Sequence, residues 1–237
     1  MFVIAAFSYL LTLVAVGLFA LRVRQLIAIY KKQQPDPTRS NNRGARLSNM
    51  LKEVLGHTKM LNFTGTGIAH WFVMVGFGAL FGTLITAYGQ LVKPDFALPI
   101  IGHFVGYELF AEVIAALTGI GIVTLIGIRQ ATRVWHKGRT SRFAGSNQGR
   151  AYYVEATILA VVFCVIALRG LEGALAGEKS WSLHYAISWP AVLFFSSWST
   201  ASIENAIVIV AALKIFVSML WFIVIASNLT MGVAWHR

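Results

Sequence analysis

The chain has 237 residues, of which 57% are hydrophobic and only 12% are charged. An average soluble domain is about half apolar and about one quarter charged, so the 20 basic and 9 acidic side chains are too few to cover a soluble protein of this length. This composition excludes a soluble globular domain, a disordered chain and a disulfide scaffold. With a single cysteine, the chain alone also cannot form a cysteine-ligated iron–sulfur cluster or zinc site.

Five apolar runs have the length of membrane-spanning helices. About 20 residues at 1.5 Å per residue cross the roughly 30 Å hydrocarbon core of a bilayer. Backbone groups in lipid must be hydrogen-bonded within the protein, and runs without polar alternation favour helices over barrel strands. The sequence therefore predicts an all-α membrane protein, a single domain over 1–237, with five transmembrane helices. They lie near 2–21, 65–88, 104–128, 151–168 and 203–227.

The distribution of Lys and Arg predicts how these helices cross the membrane. Most of the 20 basic residues lie in 22–64, in 129–150 or at Arg237, and these fall on one side if five spans alternate. Because cytoplasmic loops carry the excess of Lys and Arg, we expect the N-terminus outside and the C-terminus in the cytoplasm. This rule and attraction to anionic lipid account for the net charge of +11, so no nucleic-acid partner is expected. Residues 46–60, mixed basic and apolar, predict an interfacial helix.

Histidines are the candidate cofactor ligands of this sequence. His70 lies about a turn and a half inside the second run, and His57 precedes it by 13 residues, or about 20 Å along a continuous helix. His236 follows the fifth run on the same predicted side. Imidazoles facing each other across a helix bundle can hold a b-type haem from opposite faces. Without haem, these residues would be interfacial or hydrogen-bonded histidines. A c-type haem is excluded because no Cys-x-x-Cys-His motif occurs.

Several segments resemble a known family. Residues 55–60 (Leu-Gly-His-Thr-Lys-Met) and 67–78 (Gly-Ile-Ala-His-Trp-Phe-Val-Met-Val-Gly-Phe-Gly) resemble the second helix of the superfamily of nitrate reductase gamma subunits and heterodisulfide reductase membrane subunits. Residues 228–237 (Asn-Leu-Thr-Met-Gly-Val-Ala-Trp-His-Arg) resemble the end of its fifth helix. With 87–90 and 151–156, these segments are most similar to actinobacterial membrane-bound iron–sulfur reductases, which act as electron-transfer-flavoprotein oxidoreductases.

The resemblance implies a membrane cytochrome b of the bacterial plasma membrane, with one or two b-type haems. His57 and His70 match the histidines of the family's second helix, and His236 matches the inner histidine of the fifth. An inner haem would therefore lie between His236 and either His57 or His70. The outer histidine of the fifth helix has no counterpart, so a second haem would need an open coordination position or another ligand. The candidates for that ligand are Met219, His103 and His184.

The resemblance also implies partners. Family members carry a cytoplasmic domain with cysteine-bound iron–sulfur clusters after the membrane part, so we expect this chain to be the membrane part of a longer protein. The expected function is an oxidoreductase that passes electrons from a cytoplasmic iron–sulfur domain or electron-transfer flavoprotein to menaquinone. Such a protein would support fatty-acid oxidation.

Charged residues at membrane depth are costly and mark function by default. Lys214, about three turns into the fifth run, needs an anionic partner, either a haem propionate or one of Glu108 and Glu112. These two glutamates are four residues apart and share a helix face. They could relay protons to quinone, or they could be the ion-pair partners of Lys214 or Lys93.

Two other functions are compatible with the sequence. A transporter or channel could use the buried charges at Lys214, Glu108 and Glu112 without any cofactor. The chain could also be a passive membrane anchor for an iron–sulfur domain, with structural histidines. A further expectation is an ion pair between Glu155 and Arg150 near the inner end of the fourth run.

Overall fold

The computed structural model describes residues 2–36, 38, 41–141 and 143–231. These residues are all-helical and contain no β-strand, as predicted. Short 3₁₀ turns connect several of the helices. The α-helices of the described residues are α1 (Phe2–Lys31), α2 (Arg43–Leu55), α3 (Thr64–Ala79), α4 (Phe81–Gln90), α5 (Val105–Thr132), α6 (Val134–Lys137), α7 (Gln148–Leu175), α8 (Trp189–Phe195) and α9 (Thr200–Ser227).

Four of these helices, α1, α5, α7 and α9, are long and apolar enough to cross a membrane. The helices α3 and α4, which meet at Leu80 with a bend of 41°, pass the same test together and are the candidate for one further span. Four of the five predicted apolar runs therefore fall on single helices of membrane-spanning length, and the run near 65–88 falls on this bent pair. The helices are longer than the predicted apolar runs because they continue through charged residues. Helix α7, for example, continues past Arg169 and ends only at Leu175.

The bend at Leu80 has a local cause. The backbone carbonyl of Leu80 accepts hydrogen bonds from the backbone N–H of Thr83, at 3.1 Å, and from its hydroxyl, at 2.6 Å. A threonine hydroxyl that bonds to the helix backbone competes with the regular ladder and bends the helix. The carbonyl of Thr83 in turn accepts from the Lys214 ammonium on α9, at 2.8 Å. A hydrogen bond thus connects α4, just after the bend, to α9.

Successive spans run in opposite directions and give the bundle two chemically different ends. The basic end contains α2, α6 and residues 138–141, 143–147 and 228–231. The opposite end, called here the carboxylate end, contains residues 91–104 and 176–199. Thr12 near the start of α1 meets Tyr88 near the end of α4, with their hydroxyls 2.7 Å apart at the carboxylate end.

Apolar side chains are buried between the spans and exposed on the outside of the bundle. Leu171, Ile207 and Ile215 belong to the core formed mainly by α1, α4, α7 and α9. Large apolar residues such as Leu13 and Phe163 are exposed on the spans. A contiguous exposed apolar surface marks contact with another apolar phase, and on spans of this length it fits contact with membrane lipid.

Helix α2 corresponds to the predicted interfacial helix, but it does not continue into α3. All residues of α2 are exposed. The helix ends before Gly56, His57 has a backbone φ of 52°, and a 3₁₀ turn at Met60–Asn62 precedes α3. His57 and His70 are therefore not on one continuous helix, and the separation of about 20 Å that such a helix would give does not apply.

The close approach of α3 and α5 gives a first prediction. A Cβ atom at Gly121 of α5 would lie only 2.7 Å from the carbonyl oxygen of Ala69 of α3, the residue before His70. We expect Gly121→Ala to lower the free energy of unfolding by about 1–3 kcal/mol because overpacking forces the backbones apart. Thermal unfolding in detergent measures the change.

Gly127→Ala is the matched control. Gly127 belongs to the same helix, but nothing lies within 4 Å of an added Cβ. Since alanine is the better helix former by roughly 1 kcal/mol, this variant should unfold at the same temperature as the wild type or a higher one. Equal loss of stability in both variants would contradict the close α3–α5 approach.

Candidate functional site: a histidine pair and a buried carboxylate cluster

His57 and His70 meet at the basic end. The turn at residues 56–63 reverses the chain after α2, so that Nε2 of His57 lies 2.9 Å from Nδ1 of His70. The two rings are stacked, with centroids 5.0 Å apart and planes inclined by 22°. The indole N–H of Trp71 donates to the carbonyl of Leu55 at 2.9 Å and holds the end of α2 against α3.

Hydrogen bonds fix the tautomers of this pair when both rings are neutral. Nδ1 of His57 lies 3.1 Å from the carbonyl oxygen of Val54, which can only accept, so this nitrogen carries the proton. Nε2 of His57 is then an acceptor, and Nδ1 of His70 donates to it. In this tautomer the lone pair of His70 is on Nε2, which is the form in which an imidazole nitrogen can bind a metal ion. Metal-binding histidines are commonly oriented by such a bond from the other ring nitrogen.

The geometry suits a pair in which one histidine binds a metal ion and the other orients the first. It does not suit two histidines that bind the same metal ion through the nitrogens that face each other. Metal–imidazole bonds are about 2.0 Å long, so two nitrogens on opposite sides of one metal would be about 4 Å apart. The nitrogens that face each other are only 2.9 Å apart. In the described part of the chain, no group of three or more His, Cys, Asp or Glu residues could hold a metal ion. His236, the predicted opposite ligand, lies outside the described residues.

A buried ionic cluster occupies the carboxylate end. Its centre is the guanidinium of Arg169 on α7, whose side chain is only 11% exposed. It lies 3.2 Å from Glu108, 3.4 Å from Glu112 and 2.5 Å from Glu172, and it stacks 4.6 Å from the ring centroid of Tyr185. Arginine suits this position because its planar fork offers five donors and remains charged.

Sequence reasoning missed Arg169 and Glu172. The apolar run that predicted the fourth helix stops at Leu168, which put both residues in a loop. In the structure α7 continues to Leu175, and the two residues, three apart on one helix, both face the cluster. An arginine and a glutamate at this spacing after an apolar run were the available signal.

Glu112 is an anchor between α5 and the segment before α8. Its carboxylate accepts from the backbone N–H groups of Ile187, at 2.7 Å, and Ser188, at 3.2 Å. The Ser188 hydroxyl and Arg169 also donate to it, and the side chain is 0% exposed. With four donors, this carboxylate is fully satisfied.

Glu108 is placed differently. One oxygen faces Arg169, and the other accepts from Nδ1 of His184. Its side chain also lines a cavity of about 360 Å³ between α4, α5, α7 and α9. Polar residues of the cavity wall include Thr83, Gln90, Glu172 and Lys214.

Lys214 and Gln90 place two polar groups on the wall of this cavity. Lys214 is 1% exposed, and its ammonium donates to the carbonyl and hydroxyl of Thr83 at 2.8 and 2.7 Å. Gln90 is fully buried; its amide nitrogen donates to Glu172 at 2.5 Å, whereas its amide oxygen has no hydrogen-bond partner among the described residues. Lys214 therefore pairs with neither Glu108 nor Glu112, because its ammonium bonds to Thr83 on the adjacent helix α4. The alternative partner, a haem propionate, stays a prediction.

The remaining predicted residues have these positions. Met219 is buried in the apolar core and His103 lies on the cavity wall. Lys93, the alternative partner of the two glutamates, pairs instead with Asp95 at 3.3 Å. Glu155 pairs with Arg129 of α5 at 2.6 Å, and the expected pair with Arg150 stays a prediction. The partner Arg129 was not predicted because it depends on which helix is adjacent, whereas Asp95 is only two residues from Lys93 in the sequence.

Comparison with known proteins found no relative of this chain. No protein-family model, no curated protein and no solved structure matches this chain. The function therefore has to be inferred from the residues and their geometry.

Arg169→Gln tests the cluster. Removing one partner of a buried ion pair typically costs about 3–5 kcal/mol because charge is left uncompensated, and here three carboxylates share the guanidinium. We expect a large fall in the unfolding temperature in detergent. Lys93→Gln is the control, since it breaks an exposed pair that contributes little. Similar small effects of both changes would show that the cluster is not a major source of stability.

Proposed function

We propose that this chain is the membrane cytochrome b of a quinone-linked oxidoreductase in a bacterial plasma membrane. It would pass electrons from a cytoplasmic iron–sulfur domain or flavoprotein to quinone. The family resemblance suggests electron-transfer flavoprotein as the donor and menaquinone as the acceptor. The observation that carries the proposal is the hydrogen-bond chain from Val54 through His57 to Nδ1 of His70, because it places the lone pair of His70 on Nε2.

In this proposal His70 binds the iron of a b-type haem and His57 positions it. The imidazole of His57 accepts from Nδ1 of His70, holds its ring orientation and raises its basicity as a ligand. The resemblance assigns a second ligand to His236, which follows α9 in the sequence and lies outside the described residues. The haem supplies reversible one-electron transfer, with a potential tuned by its axial ligands and burial.

The basic end would receive the electron donor. By the positive-inside rule this end faces the cytoplasm. Its exposed cations, among them Arg43, Arg46 and Lys52 of α2 and Lys137 of α6, create a positive surface. Such a surface increases the association rate of an acidic partner.

The cavity at the carboxylate end would receive the quinone head group. Its wall is apolar at Ala111, Val165 and Leu168, which suits a ring. The Lys214 ammonium can donate to a quinone carbonyl, and the unpartnered amide oxygen of Gln90 can accept from a quinol hydroxyl. Small-molecule sites commonly combine apolar walls with a few such polar groups.

Haem content tests the proposal and separates it from a cofactor-free transporter or a passive anchor. The full chain purified from haem-replete cells should show a reducible b-type spectrum. We expect His70→Ala and His236→Ala to abolish it, and His57→Ala to weaken haem binding by about 10–100-fold, the usual effect of losing a residue that orients a ligand.

His136→Ala is the control, because His136 is exposed on α6 at the same end. It should retain the wild-type haem content. A wild-type protein without a b-type spectrum would contradict the proposed function. Full haem content in His70→Ala would remove His70 as the ligand.

A further inference from the structure

We propose that His184 and Glu108 form a proton path from the surface of the carboxylate end to the cavity. This inference rests on the proposed function, in which quinone is reduced in that cavity. It replaces the paired relay of Glu108 and Glu112 with one glutamate and one histidine.

Glu108 connects the two compartments. Its carboxylate lines the cavity, and one of its oxygens accepts a short hydrogen bond from Nδ1 of His184. The other oxygen lies 3.2 Å from Arg169, which keeps the group in place without closing it off from the cavity. A proton on Glu108 can therefore reach a cavity ligand directly.

His184 supplies the surface end of the path. Its side chain is 39% exposed, whereas that of Glu108 is 4% exposed. An imidazole can take up a proton on one ring nitrogen and release another from the second. With Nδ1 on Glu108, Nε2 of His184 is the nitrogen that would exchange protons with water. The backbone carbonyl of His184 accepts from Arg169, which fixes the position of this segment.

Four charged or titratable groups in contact with this pair or close to it are unsuited to carry the proton. Arg169 of α7 remains protonated in proteins. Glu112 of α5 is held by four donors and does not line the cavity. Burial raises the pKa of Tyr185 to about 12, so its hydroxyl keeps its proton at neutral pH. Glu172 of α7 lines the cavity, but its carboxylate bonds to Arg169 and Gln90 rather than to a surface group.

The path supplies the protons that the proposed reaction consumes. Reduction of one quinone to quinol consumes two electrons, delivered singly from the haem, and two protons. For each proton, water protonates Nε2 of His184, Nδ1 of His184 passes a proton to Glu108, and Glu108 passes it to a quinone oxygen. After each transfer Glu108 is ionised again and His184 is neutral with its proton on Nε2. The imidazole ring then turns to present a protonated nitrogen to Glu108 and an unprotonated one to water, so the path can operate twice in each turnover.

Infrared spectroscopy of the full chain tests proton access without requiring haem or quinone. After a rapid drop in buffer pH, a protonated-carboxyl band should appear in the wild type and be absent in Glu108→Gln. In His184→Asn this band should appear at least about tenfold more slowly, in line with the usual contribution of a positioned acid–base group. The asparagine amide keeps a donor near Glu108 but cannot shuttle protons. Free imidazole should restore the rate. A missing Glu108 band, or an unchanged rate in His184→Asn, would overturn the path.

Quinone-dependent reoxidation of the reduced haem separates failure of the path from failure of the proposed function. His184→Asn should keep the haem spectrum and slow reoxidation by a soluble menaquinone analogue at least about tenfold, again with imidazole rescue. Slow reoxidation that imidazole does not restore would indicate a structural role and overturn the path. If the wild type has no haem or is not reoxidised by quinone, the proposed function fails, and the infrared result alone decides whether the path exists.

Discussion

The carboxylate end depends on the ion pairs of the Arg169 guanidinium. Three carboxylates and a histidine converge on it where little water is present. In such a place an unpaired carboxylate is strongly unfavourable, and one planar group with five donors can satisfy several carboxylates at once. Because these carboxylates belong to α5 and α7, and Glu112 also holds the segment before α8, Arg169 determines the shape of one wall of the cavity. It leaves Glu108 in contact with both the cavity and His184.

The bent second span, α3 and α4, links this end to the histidine pair. Its first half, α3, packs closely against α5 and carries His70. Its second half, α4, packs on α9 and carries Thr83 and Gln90 of the cavity wall. The Lys214 ammonium holds the bend by bonding to Thr83. A single span thus contributes both the proposed iron ligand and the proposed quinone site.

Much of the fold could be predicted from the sequence, because lipid requires long apolar runs and helical backbone hydrogen bonding. The exact helix ends could not, since α7 continues past Leu168 and carries Arg169 into the bundle. The residue types of the candidate site were also predictable: histidines on the second span and glutamates on one face of the third. Their partners were not. The contact between His57 and His70 depends on a left-handed backbone conformation at a residue that is not glycine, which no hydropathy pattern shows. Lys214 bonds to the carbonyl and hydroxyl of Thr83, a contact that depends on how α4 packs against α9.

An electron cryo-microscopy map of the full protein in a lipid bilayer disc tests the central claim most directly. The account predicts porphyrin density at the basic end, with its iron bonded to Nε2 of His70 and with His57 behind that imidazole. A map in which only side chains and acyl chains surround His70 would contradict it.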